Sequence, residues 1–337
     1  MAPSCFVCAF VIASLGSAHA ESCDAPPSER VSLTIGLEWF LNADHLPLVV
    51  GVRAGLFERL GIDVTLKEPA DHWQAEKEIE QGTLDVAVTE TLHLAIDSAA
   101  GKEVLGFSRF LHTDGGVMYL PPSGITRPRD MCNKTISYPG YPGPGGPAIV
   151  QTMVEADGGA CSPEMYGKHD GGFYHTKALQ ERSADVATLI FYNFEVIEAR
   201  AQGLEPRFFS LKEWGVPDFC QLVLFTTPSR YLALKPALRK LVLGMRAAVG
   251  IIHREPDRAR QVFDEYLQSR GELPDPSSIA VHRETMNATL SAFPNDNSIA
   301  SDYFDNLMAW LVHTKQVDAN AAATSPPRNY WTNEIAL

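Results

Sequence analysis

The chain has few basic residues: 28 Lys and Arg stand against 41 Asp and Glu among 337 residues, a formal net charge of −13. Binding to phosphate backbones or to anionic membrane surfaces requires a basic patch. The composition therefore argues against nucleic acid or an anionic membrane as the main partner. It does not restrict a small ligand, which experiences only the local field of its site.

Long apolar runs and metal-binding cysteine pairs are also missing. No stretch of 18 apolar residues follows the N-terminal segment, so no transmembrane helix is predicted. Beyond that segment no two cysteines are spaced as CxxC, so no zinc or redox motif is predicted among Cys23, Cys132, Cys161 and Cys220. In an oxidising compartment, a Cys132–Cys161 disulfide and four unpaired thiols are both possible.

The first twenty residues have the features of a secretory signal peptide. An apolar stretch runs from Cys5 to Leu15, and Ala18-His19-Ala20 has the small-x-small form that signal peptidases cut. No Lys or Arg precedes the apolar stretch, and a buried N-terminal helix is the alternative. We expect a signal peptide at 1–20 and a periplasmic or secreted protein, without a lipid anchor because Cys23 lacks a lipobox.

Strand and helix patterns alternate along the first two thirds of the chain. Alternating apolar residues predict strands at 31–37 and 62–66, and strand–helix alternation continues to residue 110. A break at Pro121-Pro122-Ser123-Gly124 precedes a second set over 135–225, and the pattern is helical from Pro228 onward. This order predicts two α/β lobes with mostly parallel sheets. Lobe 1 would contain 31–117 and 226–337, and lobe 2 would contain 118–225.

Aromatic and polar side chains follow several predicted strands. Ligands of open α/β sheets bind at the carboxyl ends of strands, so these side chains are candidate ligand contacts. Rings can stack on a flat heteroaromatic ligand, and carboxylates can accept hydrogen bonds from an exocyclic amine or a protonated ring nitrogen. The candidates are Trp39, Asn42, His45, Glu90, His93, Tyr138, Tyr192, Asn193, Glu195 and Asp218.

Each candidate also has a purely structural explanation. Trp39 can pack between lobes, Asn42 can cap a helix, and His93 can be a satisfied structural histidine. Glu195 can lie on a solvated helix face. The glycines of 140–146 fail the spacing of phosphate-binding loops. The combination of rings and polar groups at several strand ends, rather than any single residue, predicts a ligand cleft.

Several motifs carry a family resemblance. They resemble a periplasmic-binding-protein-like family that includes bacterial thiamine-pyrimidine-precursor binding proteins, fungal thiamine pyrimidine synthases and, more distantly, alkanesulfonate and nitrate binders. The resemblance covers roughly 31–256 and implies a type II two-lobed fold with a pyrimidine-type ligand in the interlobe cleft. It rests on Trp39-Phe40-x-Asn42-x-Asp44-His45-x-Pro47, Gly55-Leu56-Phe57, Gly61-Ile62-Asp63-Val64, Gly82-x-Leu84-Asp85-Val86-Ala87-Val88, Tyr138-Pro139-Gly140, Tyr192-Asn193-Phe194-Glu195 and Gly215-Val216-Pro217-Asp218-Phe219.

Two departures from the fungal synthases favour a binder over an enzyme. Thr89 stands where they carry the lysine that anchors pyridoxal phosphate, although the histidine aligned with His93 is present. Their cysteine-rich run, implicated in iron binding, corresponds to a segment with Cys220 alone. A Schiff base requires an amine, and iron held by thiolates requires several cysteines. We therefore expect no cofactor, no metal and no catalysis.

The expected function is that of a substrate-binding protein of an ABC-type uptake system. It would capture a small heteroaromatic ligand, such as a thiamine pyrimidine precursor, and pass it to an ABC permease. A synthase-like enzyme and an orphan ligand sensor of the same fold are the alternatives.

Overall fold

The computed structural model describes residues 30–69, 75–140, 142–172, 174–274, 276, 278–325 and 329–336. The predicted signal peptide at 1–20 lies outside these residues. Within them, no helix is both long enough and apolar enough to cross a membrane.

Ten strands form two five-stranded sheets among the described residues. In chain order they are β1 (Val31–Gly36), β2 (Ile62–Lys67), β3 (Val86–Glu90), β4 (Leu105–His112), β5 (Gly115–Tyr119), β6 (Thr135–Ser137), β7 (Gly167–His169), β8 (Val186–Phe191), β9 (Arg207–Ser210) and β10 (Gln221–Thr226). The sheet of lobe 1 has the order β2-β1-β3-β10-β4, and that of lobe 2 has the order β7-β6-β8-β5-β9. In each sheet four strands run in one direction and a single strand runs opposite to them, β10 in lobe 1 and β5 in lobe 2.

Helices connect the strands and fill the C-terminal third of the described chain. They are α1 (Leu46–Arg53), α2 (Leu56–Arg59), α3 (Ala75–Glu80), α4 (Thr91–Ala99), α5 (Gly145–Ala156), α6 (His175–Gln180), α7 (Ile197–Ala201), α8 (Pro228–Arg254), α9 (Pro256–Arg270), α10 (Ile279–Thr289), α11 (Ser301–His313) and α12 (Ala319–Thr324). The 27-residue helix α8 packs on α1 and β4, as its apolar periodicity predicts. Helix α10 contacts α7, which links the C-terminal helices to lobe 2.

The crossings between lobes differ by a few residues from the predicted boundaries at 117 and 225. The chain enters the second sheet between His112 and Gly115, because β5 pairs antiparallel with β8 and β9. It has returned to the first sheet by Gln221, where β10 begins. Strand β5 contains two successive glycines and shows no apolar–polar alternation, since all five of its residues are buried. The periodicity that locates half-buried strands is therefore absent from it.

The outer edge of the first sheet is covered by the C-terminal segment. The backbone N–H of Gly106 in β4 donates to the carbonyl of Tyr330 at 2.8 Å, and Thr332 N–H donates back to Gly106 at 2.9 Å. Tyr330 is fully buried and Trp331 nearly so. An edge strand that is paired in this way offers no free backbone groups for aggregation.

A disulfide joins Cys132 and Cys161, as one of the two sequence alternatives predicted. Their Cα atoms are 5.8 Å apart, and the bond closes the segment that contains β6 and α5. Cys220 is a free thiol in the core. A second clamp lies beside the disulfide, because Asp157 accepts hydrogen bonds from the guanidinium groups of Arg127 and Arg129.

Removing the disulfide should destabilise the protein. The bond spans 29 positions, and loop closure of that length restricts the unfolded chain by about 3–4 kcal/mol in the chain-entropy description. We expect the double variant Cys132→Ser/Cys161→Ser to lose about that much unfolding free energy in urea denaturation. Dithiothreitol should lower the Tm of the wild type and leave the Tm of the variant unchanged. An unchanged wild-type Tm after verified reduction would contradict this expectation.

Candidate functional site

The two lobes enclose a small cavity at the carboxyl ends of β1, β3 and β8. Its volume is about 30 Å³, room for a water or two, whereas roughly 150 Å³ is needed to admit a ring such as benzene. A ring-sized ligand therefore requires the lobes to separate. Lobe 1 contributes Glu38, Trp39, Asn42, Asp44, Glu90 and Leu222, and lobe 2 contributes Pro139, Leu189, Phe191, Phe194 and Glu195.

The segment after β1 is held rigidly by its own polar groups. The side chain of Asn42 accepts a hydrogen bond from Asp44 N–H at 2.8 Å, and Asn42 N–H donates to Nδ1 of His45 at 3.2 Å. This reciprocal arrangement caps the single 3₁₀ turn of 43–45 that leads into α1. Asn42 thus caps the turn and also lines the cavity.

Glu38 and His45 form a buried pair beneath the cavity. His45 is completely buried, and its Nε2 lies 3.1 Å from each carboxylate oxygen of Glu38. Because Asn42 N–H donates to Nδ1, the ring hydrogen lies on Nε2 and points at Glu38. The histidine therefore orients one cavity carboxylate with a hydrogen bond instead of facing the cavity itself.

Glu195 lies on an irregular turn that follows β8. Sequence periodicity predicted an α-helix over 194–201, but Tyr192–Val196 is a π-helical turn and α7 begins at Ile197. The wider turn directs Glu195 back towards the end of β8, where it accepts a hydrogen bond from Phe191 N–H at 2.9 Å. Burial raises the pKa of the Glu195 carboxyl well above its ordinary value.

An interlobe latch, formed by Asp44, Asn193 and Thr289, ties the two lobes together beside the cavity. The Asn193 amide of lobe 2 donates to Asp44 Oδ1 of lobe 1 at 2.6 Å and to Thr289 Oγ1 of α10 at 2.7 Å. All three residues are buried. Because its hydrogen bonds cross the cleft, the latch exists only while the lobes are together.

The charged side chains among the described residues that line the cavity are all acidic. Four carboxyl groups line it, and none of its described lining residues is a lysine or arginine. Burial, opposed by neighbouring His45 and Asn193, raises the pKa of Asp44 to about 6. Glu90 has His93 Nδ1 3.3 Å away, and neither Asp44 nor Glu195 forms an ion pair with a lysine or arginine among the described residues. The cavity therefore favours hydrogen-bond donors and cations.

The ten predicted site residues fall into three groups in the structure. Trp39, Asn42, Glu90 and Glu195 line the cavity. His45, His93 and Asn193 lie one layer behind it, each bonded to or paired with a lining carboxyl group. The structure does not bring Tyr138, Tyr192 and Asp218 to the cavity lining.

Each of these three residues has a local partner elsewhere. Tyr138 is buried inside lobe 2, where its hydroxyl donates to the Gly143 carbonyl at 2.6 Å. Tyr192 packs edge-on against the Phe208 ring and accepts a hydrogen bond from Arg200. Asp218 pairs with His112 at 2.9 Å in a separate cavity of about 450 Å³ on the surface.

Several residues that line the cavity, most of them apolar, were not among those predicted from the ends of the strands. Phe191 and Leu189 belong to β8 itself, and a register shift in the pairing of β5 with β8 accompanies a positive φ of 62° at Leu189. A branched residue rarely adopts this conformation, which costs on the order of 1 kcal/mol or more and is found near functional sites. Nothing in the local sequence marks such a bulge. Glu38 was detectable as the polar residue that precedes Trp39.

Two sheets with crossovers and a cavity at the strand ends define the two-lobed fold of periplasmic binding proteins. Solved structures share this fold. The alkanesulfonate-binding protein SsuA from Xanthomonas axonopodis pv. citri has a TM-score of 0.66 at 14% identity, covering 90% of this chain and 99% of that one. The nitrate-binding protein NrtA from Synechocystis has a TM-score of 0.65 at 12% identity, covering 91% of this chain and 87% of that one.

The chain belongs to the family described as NMT1/THI5 like, which matches residues 42–259. It is 23% identical over 285 residues to a formylaminopyrimidine-binding protein of Halalkalibacterium halodurans, covering 83% of this chain and 84% of that protein. It is also 22% identical over 298 residues to a 4-amino-5-hydroxymethyl-2-methylpyrimidine phosphate synthase of Legionella pneumophila, covering 87% and 90% respectively. The predicted fold and family resemblance are both confirmed.

The stability of the protein should depend on pH through Asp44. Its folded pKa of about 6 exceeds the ordinary value of 3.8, so its contribution is fully present below pH 3.8 and is lost as pH rises through 6. The loss amounts to about 3 kcal/mol. Glu195 acts in the same direction. We expect urea denaturation at pH 4 and pH 7 to show a smaller pH-dependent fall for Asp44→Asn than for the wild type; parallel curves would refute this assignment.

Proposed function

We propose that this chain is an exported substrate-binding protein of an ABC-type uptake system and that it captures an aminopyrimidine between its lobes. The observation that carries the proposal is the cavity itself, in which Trp39, Phe191 and Phe194 stand beside four carboxyl groups without lysine or arginine. Flat heteroaromatic ligands with amino groups suit such a lining. The aromatic side chains can pack on the faces of the ligand ring, and the carboxyl groups can accept hydrogen bonds from the amino groups at its edge.

The same lining disfavours anions. Proteins of this fold bind alkanesulfonate or nitrate in other organisms, and an anion needs donors or positive charge at its site. Here a sulfonate would meet Asp44 and Glu195, two buried acceptors. The charge of the cavity supports the ligand class named for the formylaminopyrimidine-binding relative over the ligands of the structural neighbours.

Glu195 is the proposed anchor of the ligand edge. Its carboxyl is 7% exposed and lines the cavity at the end of β8. A 4-aminopyrimidine presents an amine donor beside a ring nitrogen, and a carboxyl group complements both with its two oxygens. One proton is shared between the ring nitrogen of the ligand and the Glu195 carboxyl. Because burial raises the pKa of this carboxyl, it holds a proton more readily and can share it with the ring nitrogen.

The proposal treats the protein as a binder and not as a synthase. Thr89 lies in β3 and offers no amine for a Schiff base, and Cys220 is a single buried thiol. Among the described residues no group of three His, Cys, Asp or Glu side chains is arranged to hold a metal ion. These features support binding rather than the synthase activity for which several relatives are named.

Calorimetric titration tests the proposed ligand and anchor together. The wild type should bind 4-amino-5-hydroxymethyl-2-methylpyrimidine and should not bind nitrate or an alkanesulfonate. Glu195→Gln should weaken pyrimidine binding by about 1.5–3 kcal/mol, roughly 10- to 150-fold, because a charge-assisted hydrogen bond is lost.

Glu198→Gln is the matched control for this titration. Glu198 lies three residues further on and bonds Thr176 outside the cavity, so its replacement should leave affinity unchanged. Tight binding of a sulfonate by the wild type would reject the proposed ligand class. Equal affinities of Glu195→Gln and the wild type would reject the anchor.

Ligand binding should close the lobes. At pH 8 the buried Asp44 and Glu195 charges oppose closure, and a ligand that donates hydrogen bonds to them removes this cost. We expect small-angle scattering to show a smaller radius of gyration at saturating pyrimidine than without it, together with a higher Tm. The Asn193→Ala variant, which lacks the interlobe latch, should close less completely. A radius that is the same with and without ligand would exclude hinge closure.

A further inference from the structure

His175 is a buried histidine whose ring makes no hydrogen bond to any residue that the structure describes. It is the first residue of α6 in lobe 2, and its side chain is 1% exposed. Neither ring nitrogen has a hydrogen-bond partner among the described residues. Buried polar atoms are nearly always paired, and an unpaired one lowers stability. An imidazole with two such atoms therefore calls for an explanation other than packing.

Another histidine of the same chain shows the usual arrangement. His282 on α10 stacks on the Phe263 ring with centroids 5.8 Å apart, and its Nε2 lies 2.8 Å from Asp264. The fold thus pairs one stacked histidine and leaves the other unpaired. Burial alone lowers the pKa of His175 to about 4, so this ring is neutral and carries one donor and one acceptor.

The position of His175 relates it to the cleft. Its ring lies nearly parallel to that of Trp39, at an interplanar angle of 17° and a centroid distance of 6.2 Å. Trp39 lines the cavity from lobe 1, whereas His175 belongs to lobe 2. Opening of the lobes separates the two rings. A centroid distance of 6.2 Å at this angle is typical of offset-stacked rings in direct contact, so a flat ligand can enter between the two rings only when they separate.

We propose that His175 is a ligand-contacting residue that determines specificity in this cleft. It forms the lobe 2 wall opposite Trp39, so that the bound pyrimidine ring lies between the indole and the imidazole. One imidazole nitrogen then forms a hydrogen bond with a ligand substituent that Glu195 does not contact. The inference rests on the proposed function and adds a second polar side chain that contacts the ligand.

The test separates the hydrogen-bonding atoms of His175 from its ring. His175→Phe keeps an aromatic ring and removes both nitrogens, so the ligand-free variant should melt at the same temperature as the wild type or higher. Its affinity for 4-amino-5-hydroxymethyl-2-methylpyrimidine should fall about 5- to 100-fold, because a ligand group is left unpaired. His282→Phe is the matched control: it should lower the Tm through loss of the Asp264 pair and leave affinity unchanged.

A spectroscopic measurement completes the test. In the wild type labelled with ¹⁵N histidine, the pyrimidine should shift one ring-nitrogen resonance of His175. An absent shift, or equal affinities of His175→Phe and the wild type, overturns the inference and leaves the proposed function intact. If the wild type binds no aminopyrimidine, the proposed function fails and this inference fails with it.

Discussion

Two carboxyl groups, those of Asp44 and Glu195, are buried where the lobes meet, and none of the described residues that line the cavity is a lysine or arginine that could neutralise them. Burial without a counter-charge raises their pKa values and makes the closed arrangement costly at neutral pH. The nearby Asn193 amide offsets part of this cost across the cleft. In the proposed function, a ligand that supplies donors would remove more of this cost, and its binding would thereby be coupled to lobe closure.

The same fold serves ligands of opposite character because the sheets fix only where a site lies. The strand ends converge on the cleft in this chain as in alkanesulfonate and nitrate binders. Side chains at those ends decide what enters. In this chain Asn42 and Asp44 belong to a capped turn that leads directly into α1, so part of the cavity lining lies on rigid structure. The remainder lies on β8 and the π-helical turn of lobe 2.

Patterns of local sequence predicted the two α/β lobes and the segments that surround the cleft, and they left the Cys132–Cys161 disulfide as one of two alternatives. Trp39, Asn42, Glu90 and Glu195 follow strands whose apolar residues are visible without a structure, and all four line the cavity. Tyr138 follows a strand as well but folds inward, because its hydroxyl reaches the Gly143 carbonyl. The position of a residue directly after a strand predicts that it lies at the edge of the sheet. It does not predict the direction in which the side chain points. Leu189 was beyond prediction because its positive φ arises from pairing with a distant strand.

The strand order also determines when each lobe can form. Strand β10 lies between β3 and β4, although it follows them by more than a hundred residues in the chain. All five strands of lobe 2 are contained in the intervening segment. Lobe 2 can therefore assemble from contiguous chain, whereas lobe 1 must wait for a central strand that emerges later. Such non-local pairing slows folding and leaves β3 and β4 without their shared neighbour in the meantime. A chain of this topology gives cellular factors a long interval in which to engage it before its first lobe is complete.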